Sequence, residues 1–143
     1  MRRTMLIAAA VLLGLTALLA YLRDPPWLER VESGFHRWQT TAEGGRYRWT
    51  TGHASFFVPA TAAAIVIPAR TTFDDVNDPS VLVSVEIDGR PADEFVLKDD
   101  EWMARRIRMP PPGQRRVRRI DLRVDRVREG NRGAQIGEIV VVR

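Results

Sequence analysis

Five side chains carry the chemistry this sequence offers most plainly. Trp38, Trp49 and Trp102 present flat apolar faces, and Arg46 and Arg48 supply forked hydrogen-bond donors. An indole face stacks on the C–H side of a sugar ring, while a guanidinium pairs with hydroxyls, carboxylates or phosphates. In the run Arg46-Tyr47-Arg48-Trp49-Thr50 a period of two puts Tyr47 and Trp49 on one face of a strand and both arginines on the other. The competing use of these tryptophans is as core, their ordinary place in a small sandwich. Spacing leaves both uses open; burial decides between them.

Other chemistries are poorly provided for. The 143 residues include no cysteine and only two histidines, His36 and His53. That excludes disulfides, thiolate nucleophiles and Cys-ligated zinc or iron–sulfur sites. There is no GxSxG, HExxH, phosphate loop or GxGxxG, so no catalytic residue, metal or cofactor is expected. Asp74, Asp75 and Asp78 crowd one loop, FDDVNDPS, without the order or the glycine of a calcium loop. A solvated turn is expected there. A glycosidase pair cannot be picked from 18 acids without geometry.

Charge is segregated along the chain. Residues 71–104 hold ten acids and two bases, a net of −8; residues 105–128 hold ten arginines and two acids, a net of +8. Cross-strand pairing on solvated sheet faces is the simple expectation. The alternative is a basic patch for an anionic partner such as a phospholipid headgroup, a lipid-linked sugar phosphate or an acidic protein surface. Nucleic acid is not an expected partner, because the basic run lacks a nucleic-acid-binding motif and the domain reads as exported. Arginine outnumbers lysine 21 to 1, a bias ascribed to codon composition rather than to function.

The elements that must position these residues begin with a membrane segment. Residues 5–22, MLIAAAVLLGLTALLAYL, carry no charge and as a helix span roughly 27 Å, close to the ~30 Å hydrocarbon core. Arg2 and Arg3 precede the run, so the positive-inside rule places the N-terminus in the cytoplasm and the remainder outside. A cleaved signal peptide is the rival, but its best site, Leu18-Leu19-Ala20, puts a bulky Leu at −3. The expectation is a single-pass anchor in a bacterial inner membrane. Pro25-Pro26 stops the helix.

Beyond it the pattern is all-β. Eight strand-like runs are expected: 46–50, 53–58, 62–67 (bounded by Pro59 and Pro68), 81–87, 94–98, 101–109, 115–127 and 135–142. Val81, Val83, Val85 and Ile87 share one face, and Ile120, Leu122 and Val124 another. Asp88-Gly89 is a type I′ hairpin signal. The expected architecture is an antiparallel β-sandwich or jelly roll of about eight strands after one N-terminal transmembrane helix. Its organisation is expected as anchor 1–23, juxtamembrane segment 24–45 and exported domain 46–143.

The order Gly34-Phe35-His36-x-Trp38, Arg46-x-x-Trp49-Thr50, Asp88-Gly89-Arg90-Pro91, Trp102 before Met109-Pro110, Ile120-Asp-Leu-Arg-Val124 and Arg132-Gly-Ala-Gln-Ile136-Gly137 resembles a bacterial β-sandwich domain. That domain is attached to, or encoded beside, membrane glycosyltransferases and envelope polysaccharide proteins. The resemblance covers about 110 residues from Gly34 onward. Gln39 stands where the family commonly has an acid, and the closing motif reads RGAQIG. The resemblance implies a jelly-roll-like, non-catalytic accessory module that contacts an envelope glycan, a lipid-linked sugar or a glycosyltransferase. With the residue pattern it gives Trp38, Arg46, Arg48, Trp49 and Trp102 as expected ligand contacts. Two alternatives stand beside it, a structural protein–protein adaptor of an envelope complex and an exported carboxylate-dependent glycoside hydrolase.

Overall fold

The computed structural model describes residues 2–73 and 80–143; Asp74, Asp75 and Asp78 of the acidic loop lie outside the described residues. The chain opens with α1 (Arg2–Arg23), a helix of 22 residues, about 33 Å at 1.5 Å per residue. It is apolar enough to cross a membrane by length and composition, and its side chains from Thr4 to Arg23 are exposed. A single 3-10 turn, Leu28–Arg30, leads into the strands.

Ten strands follow among the described residues: β1 (Glu32–Phe35), β2 (Gln39–Thr40), β3 (Arg46–Pro59), β4 (Ala64–Arg70), β5 (Val81–Ile87), β6 (Arg90–Leu97), β7 (Met103–Arg108), β8 (Val117–Val124), β9 (Gln135–Gly137) and β10 (Val140–Val142). They form an antiparallel β-sandwich. One layer runs β1-β3-β8-β5-β6; the other runs β2-β3-β9-β4-β7, with β10 beside the first half of β4.

β3 belongs to both layers. Its first part, Tyr47–Trp49, pairs with β9, and its last, His53–Pro59, pairs with β8. The two expected runs 46–50 and 53–58 are therefore one strand of 14 residues. The handover is fixed at fully buried Thr50, which donates its N–H to Ala134 O (2.8 Å) and accepts the N–H of Gly133 (2.7 Å).

The core lies between the layers, and the expected alternation places it. Val83, Val85 and Ile87 face Val124, Leu122 and Ile120 across the β5–β8 ladder, and all six are buried. Ile65, Ile67, Ala69, Ile107 and Ile136 face them from the other layer. Each such Val, Leu or Ile side chain contributes about 1.5–3 kcal/mol of transfer free energy.

The structure departs from the sequence expectation at two further places. β4 runs through Pro68 to Arg70. β10 registers with residues 64–66 and β9 with 69–70, so Pro68 sits where one neighbour has ended and the next has not begun, and its missing N–H breaks no ladder there. The expected strand 135–142 divides into β9 and β10 at Glu138 and Ile139. Within the segment 24–45, β1 and β2 both pair with β3. The hairpin at Asp88-Gly89 has φ of 51° and 76°, the positive pair a type I′ turn requires.

Candidate functional site

Antiparallel pairing gathers the aromatic and basic side chains at the start of β3. β1 lies against β3 with Glu32 opposite Phe56, then a bulge, then Phe35 opposite Thr50. Gly34 makes that bulge at φ +72°, where a Cβ would stand 2.0 Å from the His53 carbonyl oxygen. The bulge brings the Glu32 carboxylate and the Phe35 ring to the same guanidinium.

That guanidinium is Arg48. The residue is 6% exposed. It donates from Nη2 to Glu32 Oε2 (2.7 Å) and from Nη1 to Glu32 Oε1, a fork-to-fork pair. Its carbon CZ lies 3.8 Å from the centroid of Phe35 and 4.4 Å from that of Trp38. Arg46, two residues earlier and on the same face, lies 4.8 Å from the Trp38 centroid and reaches Glu138 at 3.5 Å. Cation–π contact is worth more for the desolvated Arg48 than for Arg46.

Trp38 is thereby held upright with 36% of its surface exposed. It forms one wall of an open groove of 380 Å³ whose lining includes Glu29, Glu32, Glu138, Arg48, Phe57 and Val141. An apolar ring, several carboxylate acceptors and a cation share one concavity. Such a surface can stack a flat apolar ligand face and accept hydrogen bonds from hydroxyls.

The other two tryptophans are elsewhere. Trp49 is 6% exposed and points to the opposite side of β3 from Arg48. Its ring is packed in the fold, so it presents no platform; the core use foreseen for tryptophan applies here. Trp102 is 41% exposed but belongs to a different patch. It meets Tyr47 edge-on with centroids 6.4 Å apart, and Arg70 lies 4.6 Å from its centroid. Arg70 is steadied by Gln135 Oε1 (2.6 Å) and the Asp100 carbonyl (3.3 Å). Of the five residues singled out in the sequence, the structure brings Trp38, Arg46 and Arg48 together and separates Trp49 and Trp102 from them.

No protein-family model matches this chain. No curated protein matches it either. Among solved structures it is similar to a family two carbohydrate esterase from Clostridium thermocellum in complex with cellohexaose, with a TM-score of 0.48, 12% identity and 78% of this chain covered. This chain spans 31% of the length of that esterase. It is also similar to the CBM36-1 domain of a multidomain xylanase from the hindgut metagenome of Trinervitermes trinervoides (TM-score 0.44, 12% identity, 76% of this chain and 90% of that one). A carbohydrate-binding module CBM36 in complex with calcium and xylotriose gives a TM-score of 0.46 at 13% identity, over 77% of this chain and 91% of that one.

Glu29, Glu32 and Glu138 complete the groove, Phe35 backs its arginine, and all four were missed by sequence reasoning. Two of these acids flank Arg30 in LERVE, but nothing there separates them from the other acids of the chain. Their meeting depends on the β1 bulge and on the β9–β10 break, neither of which has a strong sequence signal. The histidines are apart from the groove and from each other. His36 Nε2 meets the Asn131 carbonyl at 3.0 Å, and His53 Nε2 meets Asp121 Oδ1 at 2.8 Å. Among the described residues no three His, Asp or Glu side chains gather as a metal site would require.

Proposed function

We propose that this chain is a membrane-anchored, non-catalytic β-sandwich module that binds a glycan of the cell envelope, free or lipid-linked, beside a partner such as a membrane glycosyltransferase. The observation that carries the proposal is the half-exposed Trp38 ring, braced by two arginines, at the wall of a groove lined with carboxylates. The anchor is the apolar helix α1, with the N-terminus in the cytoplasm and the sandwich outside a bacterial inner membrane. Tethering raises the effective concentration of the groove near membrane-bound saccharides. The carboxylates of Glu32 and Glu138 are held by Arg48 and Arg46, which suits recognition of hydroxyls better than acid–base hydrolysis.

The test is glycan binding by the full chain in neutral detergent, followed by intrinsic tryptophan fluorescence. Trp38→Ala should weaken binding about 30-fold, the scale of a ~2 kcal/mol aromatic hot spot. Trp102→Ala should leave it unchanged. Loss with Trp102→Ala and not with Trp38→Ala would move the site to the Tyr47–Trp102 patch. No binding by the wild type to any envelope saccharide would overturn the proposal.

A second reading is a protein–protein adaptor. It draws on the exposed apolar side chains Val140 (54%) and Val141 (37%) in β10, and cross-linking in native membranes would reveal the partner.

A further inference from the structure

A second groove lies away from Trp38, on the outer face of the β8–β5 side of the sandwich. It is an open concavity of 530 Å³ into which Arg115, Arg118, Arg119 and Arg123 project. Its place in the molecule is set by the end of the anchor. Asp24, the residue after α1, takes the Nε of Arg115 at 2.9 Å and the backbone N–H of Arg116 at 3.2 Å. Arg115 Nη2 also reaches the Arg23 carbonyl at 3.1 Å, and Arg116 Nη2 the Asp24 and Pro25 carbonyls at 3.3 and 3.4 Å. Arg115, one of the two residues that fasten the sandwich to the helix end, therefore also walls the groove.

The groove carboxylates preset these guanidinia without using all their donors. Arg123 gives Nε alone to Glu86 (3.2 Å), leaving both terminal nitrogens. Arg119 gives Nε and Nη2 to Asp121, leaving Nη1. Arg115 spends Nε and Nη2 on the anchor, again leaving Nη1. The side chains of Arg115, Arg119 and Arg123 are 44%, 49% and 55% exposed, so the remaining donors face solvent. Planar donors held at fixed places suit the oxygens of a phosphate.

We infer that the Arg115–Arg119–Arg123 groove is a binding site for the phosphate of an anionic membrane-lipid headgroup, seated at the membrane-proximal end of the sandwich. The inference rests on the anchored reading given above. It adds a lipid contact distinct from the glycan groove.

The chain has no cysteine, so Gln114→Cys can carry a single environment-sensitive fluorophore at the rim. The full chain is placed in nanodiscs of phosphatidylcholine with a rising fraction of phosphatidylglycerol. The fluorophore signal should saturate with phosphatidylglycerol, and Arg123→Gln should raise the half-saturating fraction about fivefold, the effect of one arginine near an anionic surface. Arg119→Gln with Arg123→Gln should raise it about 25-fold on the same scale. Circular dichroism checks that the double variant is folded; if it is not, the single variant decides. Inorganic phosphate is titrated into pure phosphatidylcholine discs as the other arm. A response to free phosphate with none to phosphatidylglycerol would overturn the headgroup assignment. Retention in the discs with no response to either would overturn the site. Failure to co-elute with the discs would overturn the anchor, and this inference with it.

Discussion

Arg48 shows how much one buried guanidinium organises. Its side chain is 7% exposed while that of Glu32 is 45% exposed, so the pair is buried at one end and open at the other. Its Nε has no hydrogen-bond partner, and the rings of Phe35 and Trp38 cover it instead. Removing Glu32 would strand the charge. Glu32→Ala should therefore destabilise the chain by about 1–2 kcal/mol, below the fully buried range because water reaches one partner. Arg46→Ala, whose pair with Glu138 is exposed at both ends, should cost under about 0.5 kcal/mol. Urea unfolding of the two variants side by side checks the difference. Equal losses would show that Arg48 is not held as described.

Asp93 belongs at the same scale. Arg105 donates to it from Nε (2.6 Å) and Nη2 (2.8 Å), and these hydrogen bonds, against a smaller opposing effect of burial, hold its carboxyl below the ordinary aspartate value of 3.8. A folded pKa below the unfolded one means that the folded state binds the proton less readily. The stabilisation is therefore complete above the unfolded value and is lost as the pH falls through the folded one. Thermal melts of wild type and Asp93→Asn should differ at pH 7 and converge as the pH falls through the lowered folded pKa of Asp93. A gap that persists unchanged in acid would assign the effect to packing instead.

At the scale of elements, legibility followed the strength of the local signal. The alternations of β5 and β8 and the Asp88-Gly89 turn were plain in the sequence because burial on one face and positive φ each restrict residue type. β1 and β2 were not, since four and two residues give no periodicity to read. Pairing with β3 makes them strands. The charge blocks resolved the same way. Glu86 pairs with Arg123 across β5 and β8, Asp88 of the hairpin turn with Arg118 on β8, and Asp93 on β6 with Arg105 on β7 of the other layer, so the fold brings together charges segregated along the chain. For the site, Trp38, Arg46 and Arg48 were legible as types, but the acids around them were not, because a bulge selects them. That bulge is testable. Gly34→Ala places a methyl group 2.0 Å from the His53 carbonyl at φ +72° and should cost several kcal/mol, about 2–4. Gly89→Ala, at φ +76° with open space around it, should cost only about 1 kcal/mol. Similar losses at both would mean that the backbone at Gly34 relaxes away from β3.

At the scale of the whole molecule, the question is whether helix and sandwich move as one. Pro25-Pro26 would ordinarily begin a loose connection, since proline cannot continue the helix. Here the connection is crossed by Arg115 and Arg116, 91 or 92 residues further on, which meet the Asp24 carboxylate and the carbonyls of Arg23, Asp24 and Pro25. Cations at a helix C-terminus also complement its dipole. The Asp24 side chain is only 10% exposed, so water competes weakly for it. With α1 in a membrane as proposed, a sandwich held this way would keep one end toward the bilayer; Glu29, just past the helix, lies in the wall of the Trp38 groove. Asp24→Ala removes the carboxylate that accepts from Arg115 Nε and the Arg116 N–H, and Asp24 itself lines neither groove. In nanodiscs, with a fluorophore on Lys98→Cys, wild type should tumble with the disc and show a high residual anisotropy. Asp24→Ala should add a nanosecond component and lower that residual, while the melting temperature of the sandwich falls only slightly. An unchanged anisotropy decay would mean that the proline pair alone fixes the orientation, and that the arginines at the helix end are free to serve the bilayer.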